Sequence, residues 1–189
     1  MLYQIIIFLI EVAVTLLGGA CLLRLYMRWR RMPMANPVGH FVQALSDWLV
    51  LPLQRLVPPA KQFDVASLLA AWLLKLLQYA VLMALVGLGS WSLLPVLALL
   101  GVAKLAASVA TGVIIVAAVM AWMQNRTPVS DMFEGLAAPL LAPVRKLVPL
   151  VGGIDLSPLL VIVALQVIGI VLGSLQASLW GAGAAVLAG

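Results

Sequence analysis

The sequence predicts an all-α membrane protein: four transmembrane helices in two parallel repeats, each repeat carrying a cytoplasmic amphipathic interfacial helix. Three observations predict it. Of 189 residues, 65% are hydrophobic and only 9% are charged, whereas soluble domains run at roughly 45–50% apolar and about 25% charged. Four runs are long and apolar enough to cross a hydrocarbon core about 30 Å thick. Finally, residues 36–58, NPVGHFVQALSDWLVLPLQRLVP, return ninety-one positions later as TPVSDMFEGLAAPLLAPVRKLVP, residues 127–149.

The first repeat occupies residues 1–91, with a span over about 4–27, an amphipathic helix over about 37–51 and a span over about 65–88. The second occupies 92–189, with a span over about 93–122, an amphipathic helix over about 128–141 and a span over about 156–180. MLYQIIIFLIE lacks the basic flank of a signal peptide, and its apolar run exceeds a typical signal core, so it is expected to be a retained first span. GLGSWSLLP, residues 87–95, is a short turn with an interfacial Trp91. The third span is longer than a bilayer needs and must tilt or project. The two copies share Pro37/Pro128, Leu45/Leu136, Pro52/Pro143, Leu56/Leu147, Pro58/Pro149 and Asp64/Asp155 without a gap. That is an internal duplication. Because each unit holds two spans, the copies share one orientation.

Charge distribution sets that orientation. Arg24, Arg28, Arg30, Arg31, Arg55 and Lys61 lie in or beside the segment between spans one and two, and Arg126, Arg145 and Lys146 between spans three and four. Nine of the eleven basic residues therefore flank one face, which the positive-inside rule makes cytoplasmic, with both termini outside.

Within the first repeated phrase, Val38, Phe41, Val42, Leu45, Trp48 and Leu49 follow helical spacing on one face, and Val129, Met132, Phe133, Leu136 and Leu140 do so in the second. Gln43, Ser46, Asp47, Ser130, Asp131 and Glu134 fall off the stripe. Asn36-Pro37 and Thr127-Pro128 read as an N-cap followed by proline at the first helical position, and each helix should end near Pro52 or Pro143. Such a helix either lies in the headgroup region as a docking platform for lipid or protein, or packs back and closes the base of the bundle. As a platform it would present Phe41, Trp48, Phe133, Arg55, Arg126, Arg145 and Lys146 to anionic lipid headgroups or to a membrane or cytoplasmic protein partner. The LQRLVP and VRKLVP turns hold basic residues between prolines, either as headgroup anchors or as a specific anion site. Asp64 and Asp155 then precede spans two and four as helix caps. Pro158 offers no amide, so Asp155 would cap Ser157 or pair with a basic neighbour.

Glu11, Lys75 and Lys104 fall inside spans, where a bare charge costs a few kcal/mol at the bilayer centre. At 1.5 Å per residue, Glu11 and Lys104 lie roughly 24 and 27 Å from the cytoplasmic ends of their spans, and Lys75 about 15 Å. A Glu11–Lys104 ion pair locking spans one and three is therefore expected, against an ion or proton pathway helped by Gln78, Ser108, Thr111 and Gln166. Small residues at Gly18-Gly19-Ala20, Ala103-Ala107-Thr111 and Gly169/Gly173 suit close helix contacts, within the chain or in a homo-oligomer.

No nucleotide-binding loop, hydrolase elbow or paired cysteine motif is present. Cys21 is alone in an apolar run, and His40 has no metal-binding or nucleophilic companion. No enzyme activity, cofactor, metal or nucleic-acid binding is expected.

The block RKLVPLVGGIDLSP, residues 145–158, preceded by TP and PLLAP, resembles the YggT/YlmG family of small membrane proteins in its duplicated bacterial form. The first copy departs from it, with PPAKQFDVAS over residues 58–67. The resemblance implies a bacterial inner-membrane protein linked to osmotic tolerance, cell division and envelope organisation, or assembly of membrane complexes, and it implies no catalytic residues. A non-enzymatic scaffold or assembly factor is the leading expectation. An ion-conducting or osmotic-response transport component using the intramembrane charges is its rival.

Overall fold

Long runs of Leu, Ile, Val and Ala free of proline specify the first helix, α1, Leu2–Trp29, in the computed structural model. The structure describes residues 2–57, 63–86, 91–123, 127–146 and 155–188. The 87–90 part of the expected turn, Lys61, Arg126 and the LVPLVGGI stretch at 147–154 lie outside the described residues. The chain continues as α2, Pro37–Leu56; α3, Val65–Val86; a 3-10 turn, Trp91–Leu93; α4, Leu94–Trp122; α5, Pro128–Arg145; and α6, Ser157–Ala188. No strand occurs among the described residues. Four of these helices, α1, α3, α4 and α6, are long and apolar enough to cross a membrane. The protein is an all-helical, multi-pass membrane protein.

Arginine at an unusual backbone position ends α1. Arg31 has φ of 53°, the left-handed conformation that glycine adopts most easily. The Met32 amide donates to Met27 O and the Arg31 amide to Arg28 O, both at 3.0 Å. This pair of bonds closes the last turn of a helix and satisfies carbonyls that would otherwise be orphaned. The chain then folds back so tightly that a Cβ on Gly39 would sit 2.3 Å from the Met34 carbonyl oxygen. Only glycine fits there.

Asn36 Oδ1 accepts the Gly39 amide at 2.7 Å and opens α2. Thr127 and Ser130 exchange side-chain and backbone hydrogen bonds in a capping box that opens α5. α2 runs further than its sequence suggests, past Pro52 to Leu56, whereas α5 continues through Pro139 and ends at Arg145, close to Pro143 as expected. Each proline removes one backbone bond but leaves those of its neighbours intact, and Pro52 and Pro143 fall in or near a final turn, where little remains to be broken.

Among the described residues, three apolar clusters hold the bundle. One gathers Met27 of α1, Val42 of α2, Val113 and Ile114 of α4, Met132 and Leu136 of α5, and Val161 of α6, so it belongs to both repeats at once. A second packs α1, α2, α3 and α4 around Cys21, Val50, Ala70 and Leu105. The third closes the opposite end around Met83, Leu94 and Leu97. There Gln176 donates to the Tyr79 hydroxyl at 2.8 Å and to Leu97 O at 3.3 Å, joining α3, α4 and α6. Gly18 of α1 lets Leu105 of α4 approach within 2.8 Å of where a Cβ would stand, which is the usual use of small residues between membrane helices.

Gly39→Ala should destabilise the protein by about 1–3 kcal/mol, because the colliding atom is backbone and cannot rotate away. Arg31→Gly should stabilise it by about 0.5–1 kcal/mol by relieving the left-handed residue. Thermal unfolding in one detergent, with the two variants run beside wild type, checks both signs.

Candidate functional site

The ends of α1 and α4 and the starts of α3 and α6 share the face that carries α2, α5 and the clustered basic residues. Its centre is a carboxylate. Asp64 is 1% exposed and sits just before α3, where a side-chain oxygen can accept an otherwise free helix amide. Asp64 Oδ1 accepts the Ser67 amide at 3.4 Å. Its other partners come from elsewhere: Arg28 of α1 at 2.8 Å, Arg24 of α1 at 3.6 Å and Gln54 of α2 at 3.1 and 3.2 Å. Arg24 also donates to Ser46 Oγ at 3.0 Å and to the Asp47 carboxylate, both on α2. One buried arginine thus bridges two carboxylates, and the network ties three helices together.

This arrangement corrects part of the sequence reading. In the sequence Ser46 and Asp47 only fall off the apolar stripe of α2, with no part in holding the bundle. Instead Ser46 is fully buried and Asp47 turns in to Arg24. The inward face of α2 is Gly39, Val42, Ser46 and Val50, so Phe41 and Trp48 of the expected apolar stripe are left exposed at 63% and 59%. A polar anchor outbids apolar periodicity because an unpaired arginine inside the bundle would be far more costly than an exposed aromatic ring. Arg24 was counted only as an orienting charge. Its signal was its place: it lies inside the first apolar run, four residues before Arg28, so both fall on one face of the helix.

The second repeat solves the same problem differently. Positions 24 and 28 align with Ile115 and Val119, and Ser46-Asp47 with Ala137-Ala138. Asp155, the counterpart of Asp64, takes its cation from α5: Arg145 Nε donates to Asp155 Oδ2 at 2.8 Å. Asp155 Oδ1 accepts the Ser157 amide at 2.9 Å, so this carboxylate both caps a helix and pairs. Arg145 occupies the position of Gln54. Without a polar anchor, α5 is turned relative to α2 and buries Met132, Leu136, Ala137 and Leu141. Phe133, expected to face outward, is half-buried against the cluster around Met27 and Val42; its counterpart in α2 is Val42 itself, buried there too.

Burial acts to raise the Asp64 pKa. Hydrogen bonds from Arg28 and Gln54, together with the Arg28 charge, outweigh it and hold the carboxyl below its ordinary value. Asp155 is lowered too, with burial opposing and Ser157 and Arg145 prevailing.

Arg55 and Lys146 are exposed on this face, with Arg55 on the last turn of α2. Arg30 and Arg31, just past the end of α1, are exposed too. An apolar cleft of about 320 Å³, lined by Tyr26, Trp29, Phe63 and Val109 among others, opens between α1 and α4. Among the described residues, no three His, Cys, Asp or Glu side chains come together to hold a metal.

The expected Glu11–Lys104 ion pair does not form. Glu11 and Lys104 are both exposed, and neither takes part in an ion pair among the described residues. They stand on different helices whose close contact, Gly18 on Leu105, lies further along α1 than Glu11. Lys75 is buried and donates to Gln78 Oε1 at 2.9 Å. Ser108, Thr111 and Gln166, grouped with the intramembrane charges in the sequence, line a groove with Lys104.

A multi-pass membrane protein made of one helical unit used twice is the class this fold and site define. The chain belongs to the CCB3/YggT family, whose model matches residues 3–85 and again residues 96–176. It is 34% identical over 165 residues to a protein of Escherichia coli K12 named "Uncharacterized protein YggT", covering 85% of each chain. It is 30% identical over 177 residues to "Uncharacterized protein in proC 3'region" of Vibrio alginolyticus, covering 92% of this chain and 96% of that one. A Haemophilus influenzae relative is 30% identical over 160 residues, covering 84% and 86%. No solved structure matches.

Asp64→Asn should destabilise the protein by about 1.5–3 kcal/mol, because it removes the buried charge that Arg28 and Gln54 bond while Arg24 keeps Asp47 and Ser46. Asp155→Asn removes a half-exposed pair and should cost at most about 1 kcal/mol. Equilibrium unfolding of the two variants in one detergent measures the contrast. The depressed Asp64 pKa adds stability that is complete above the unfolded carboxyl value of about 3.9 and is lost as pH falls through the lower folded value. A stability profile from pH 6 down to 2 should therefore fall in the acid limb for wild type and be flatter for Asp64→Asn.

Proposed function

We propose that the protein is a non-enzymatic scaffold or assembly factor of the bacterial inner membrane, with its basic face in the cytoplasm and both termini in the periplasm. α2 and α5 are its working surface, lying at the membrane interface. The observation that carries this reading is the division of α2 into two faces. Its inner face is pinned by Arg24, Asp47 and Asp64, while its outer face leaves Phe41, Trp48, Leu51 and Leu56 exposed beside Arg55. Aromatic and basic side chains held together on a rigid helix suit the boundary between headgroups and acyl chains. Lys146 and Arg145 extend the basic surface on the other repeat, and each cation near an anionic leaflet contributes about 1 kcal/mol to its attraction. The cleft beside Trp29 and Phe63 suits one acyl chain of an anionic phospholipid whose headgroup meets Arg30 and Arg31. A protein client would then meet a surface already fixed in depth and orientation.

Purification from native membranes in mild detergent, followed by native mass spectrometry, tests this. Wild type should retain anionic phospholipid and a partner protein. Arg55→Glu with Lys146→Glu, and separately Phe41→Ser with Trp48→Ser, should each reduce bound anionic lipid at least threefold and release the partner. Arg145 is left intact because it holds Asp155. Equal retention by wild type and both double variants would rule this surface out.

A further inference from the structure

The seam between α4 and α6 is open to the membrane along most of its length. Lys104, Ser108 and Thr111 of α4 and Gln166, Gly169 and Gly173 of α6 edge a groove of about 540 Å³. Toward the basic face, Ala118 and Ala121 of α4 and Leu159 and Ile162 of α6 frame a second hollow of about 570 Å³. These positions continue the helical spacing of the first set, so the two hollows lie end to end along one seam. From Lys104 to Trp122 the seam covers eighteen residues of α4, about 27 Å, close to the thickness of a hydrocarbon core. α6 is the least covered of the four spanning helices, with 6% of its apolar window buried.

Acyl chains alone do not suit this lining. Lys104 stands ten residues inside Leu94, where α4 begins on the side away from the basic face, which is about 15 Å and half a hydrocarbon core. Among the described residues, no hydrogen bond or ion pair occupies its ammonium or the Gln166 amide. The other intramembrane charges do not relieve it. Glu11 lies within electrostatic reach of Lys75 and Tyr79 on α3, while Lys75 and Lys104 repel each other. One carboxylate against two ammoniums leaves a surplus positive charge in the membrane. Lys75 is buried and bonded to Gln78, so the surplus falls to Lys104 in the groove. Such a charge is costly in hydrocarbon and is normally paired or turned toward protein.

Charge, depth and shape together define what would cover the seam. α4 and α6 run antiparallel, with Gln176 against Leu97 at one end and Val161 beside Ile114 at the other. That register sets Gln166 level with Ser108, one turn from Lys104. The missing groups are therefore a carboxylate and, a turn nearer the basic face, a hydrogen-bonding side chain. At this depth only a helix can carry both while satisfying its own backbone. The seam admits one closely, since a Cβ on Gly112 or Gly169 would meet nothing within 4 Å, and small residues are what permit tight packing between membrane helices.

We propose that the α4–α6 seam receives a transmembrane helix of a partner protein, one that carries an aspartate or glutamate level with Lys104 and a hydrogen-bonding residue facing Gln166. This names the kind of client a membrane scaffold would hold and rests on that reading for its purpose, but it can be tested without anionic lipid and without a native partner.

The full-length protein, with an acceptor dye on a terminal tag, is reconstituted in phosphatidylcholine vesicles. The probe is a donor-labelled synthetic Leu/Ala helix of about 21 residues, with Glu at its centre and Asn one turn to either side, so that both insertion directions present the pair. The control helix has Leu at those three positions. Energy transfer, displaced by unlabelled peptide, gives the affinities. Wild type should bind the Glu helix at least about fivefold more tightly than the control. Lys104→Met should erase that advantage and leave the two helices equal. Gly169→Leu, which fills the groove from open space, should weaken the Glu helix by a similar factor. Equal binding of the two helices by wild type, an advantage that survives Lys104→Met, or no binding at all would overturn the proposal. Any of these would leave the α2–α5 surface standing, because that surface is read separately from lipid and partner retention in native membranes.

Discussion

The carboxylate of Asp64 is the constraint on which the first half of the molecule depends. It is buried where α3 begins, so it can remain charged only while Arg24, Arg28 and Gln54 stay around it. Those partners lie on α1 and α2, which fixes the rotation of both helices about their axes. The same requirement turns Ser46 and Asp47 of α2 inward, because Arg24 has more hydrogen-bonding capacity than one carboxylate can fill. The aromatic outer surface of α2 is therefore a by-product of electrostatics in its interior. Apolar burial contributes less to specificity here than it would in water, since the lipid tails around the bundle are as apolar as its core.

The second half keeps the carboxylate and moves the cation. Asp155 is matched by Arg145 on α5, at the position where the first half has Gln54, and α4 is wholly apolar where α1 has its two arginines. The exchange preserves local charge while changing what it holds. In the first half the ion pairs clamp three helices together; in the second, among the described residues, one half-exposed pair joins α5 to the start of α6. The first half is the one cross-linked by charge at this face, and α5 is seated by Met132 and Leu136 instead.

Much of this was legible in the residues, for identifiable reasons. Spanning helices follow from length and apolarity alone, and the repeat from unbroken identity between residues 36–58 and 127–149. The N-caps were readable because Asn36-Pro37 and Thr127-Pro128 are local chemistry. What could not be read were choices made between distant segments. The rotation of α2 depends on Arg24, twenty-two residues away. The mismatch between Phe41, which is exposed, and Met132, its buried counterpart, depends on which half has the arginines. The Glu11–Lys104 expectation rested on residue counts alone and had no access to how α1 and α4 pack, with Gly18 rather than Glu11 beside the turn of Leu105. Pro52 misled over the end of α2, which runs on to Leu56 because a single lost bond is tolerated in a closing turn, whereas α5 does end close to Pro143.

Tyr26 of α1 donates its hydroxyl proton to Leu136 O of α5 at 2.8 Å, and the cluster around Met27 draws residues from both repeats. The counterpart of Tyr26 in the second repeat is Ala117, so this contact has no mirror image. In a symmetric pair of identical units this bond would be made twice, from Tyr26 of each unit to the Leu45 carbonyl of the other; here it is made once. With its donor on one half and its acceptor on the other, it ties the repeats to each other, and neither half by itself retains it.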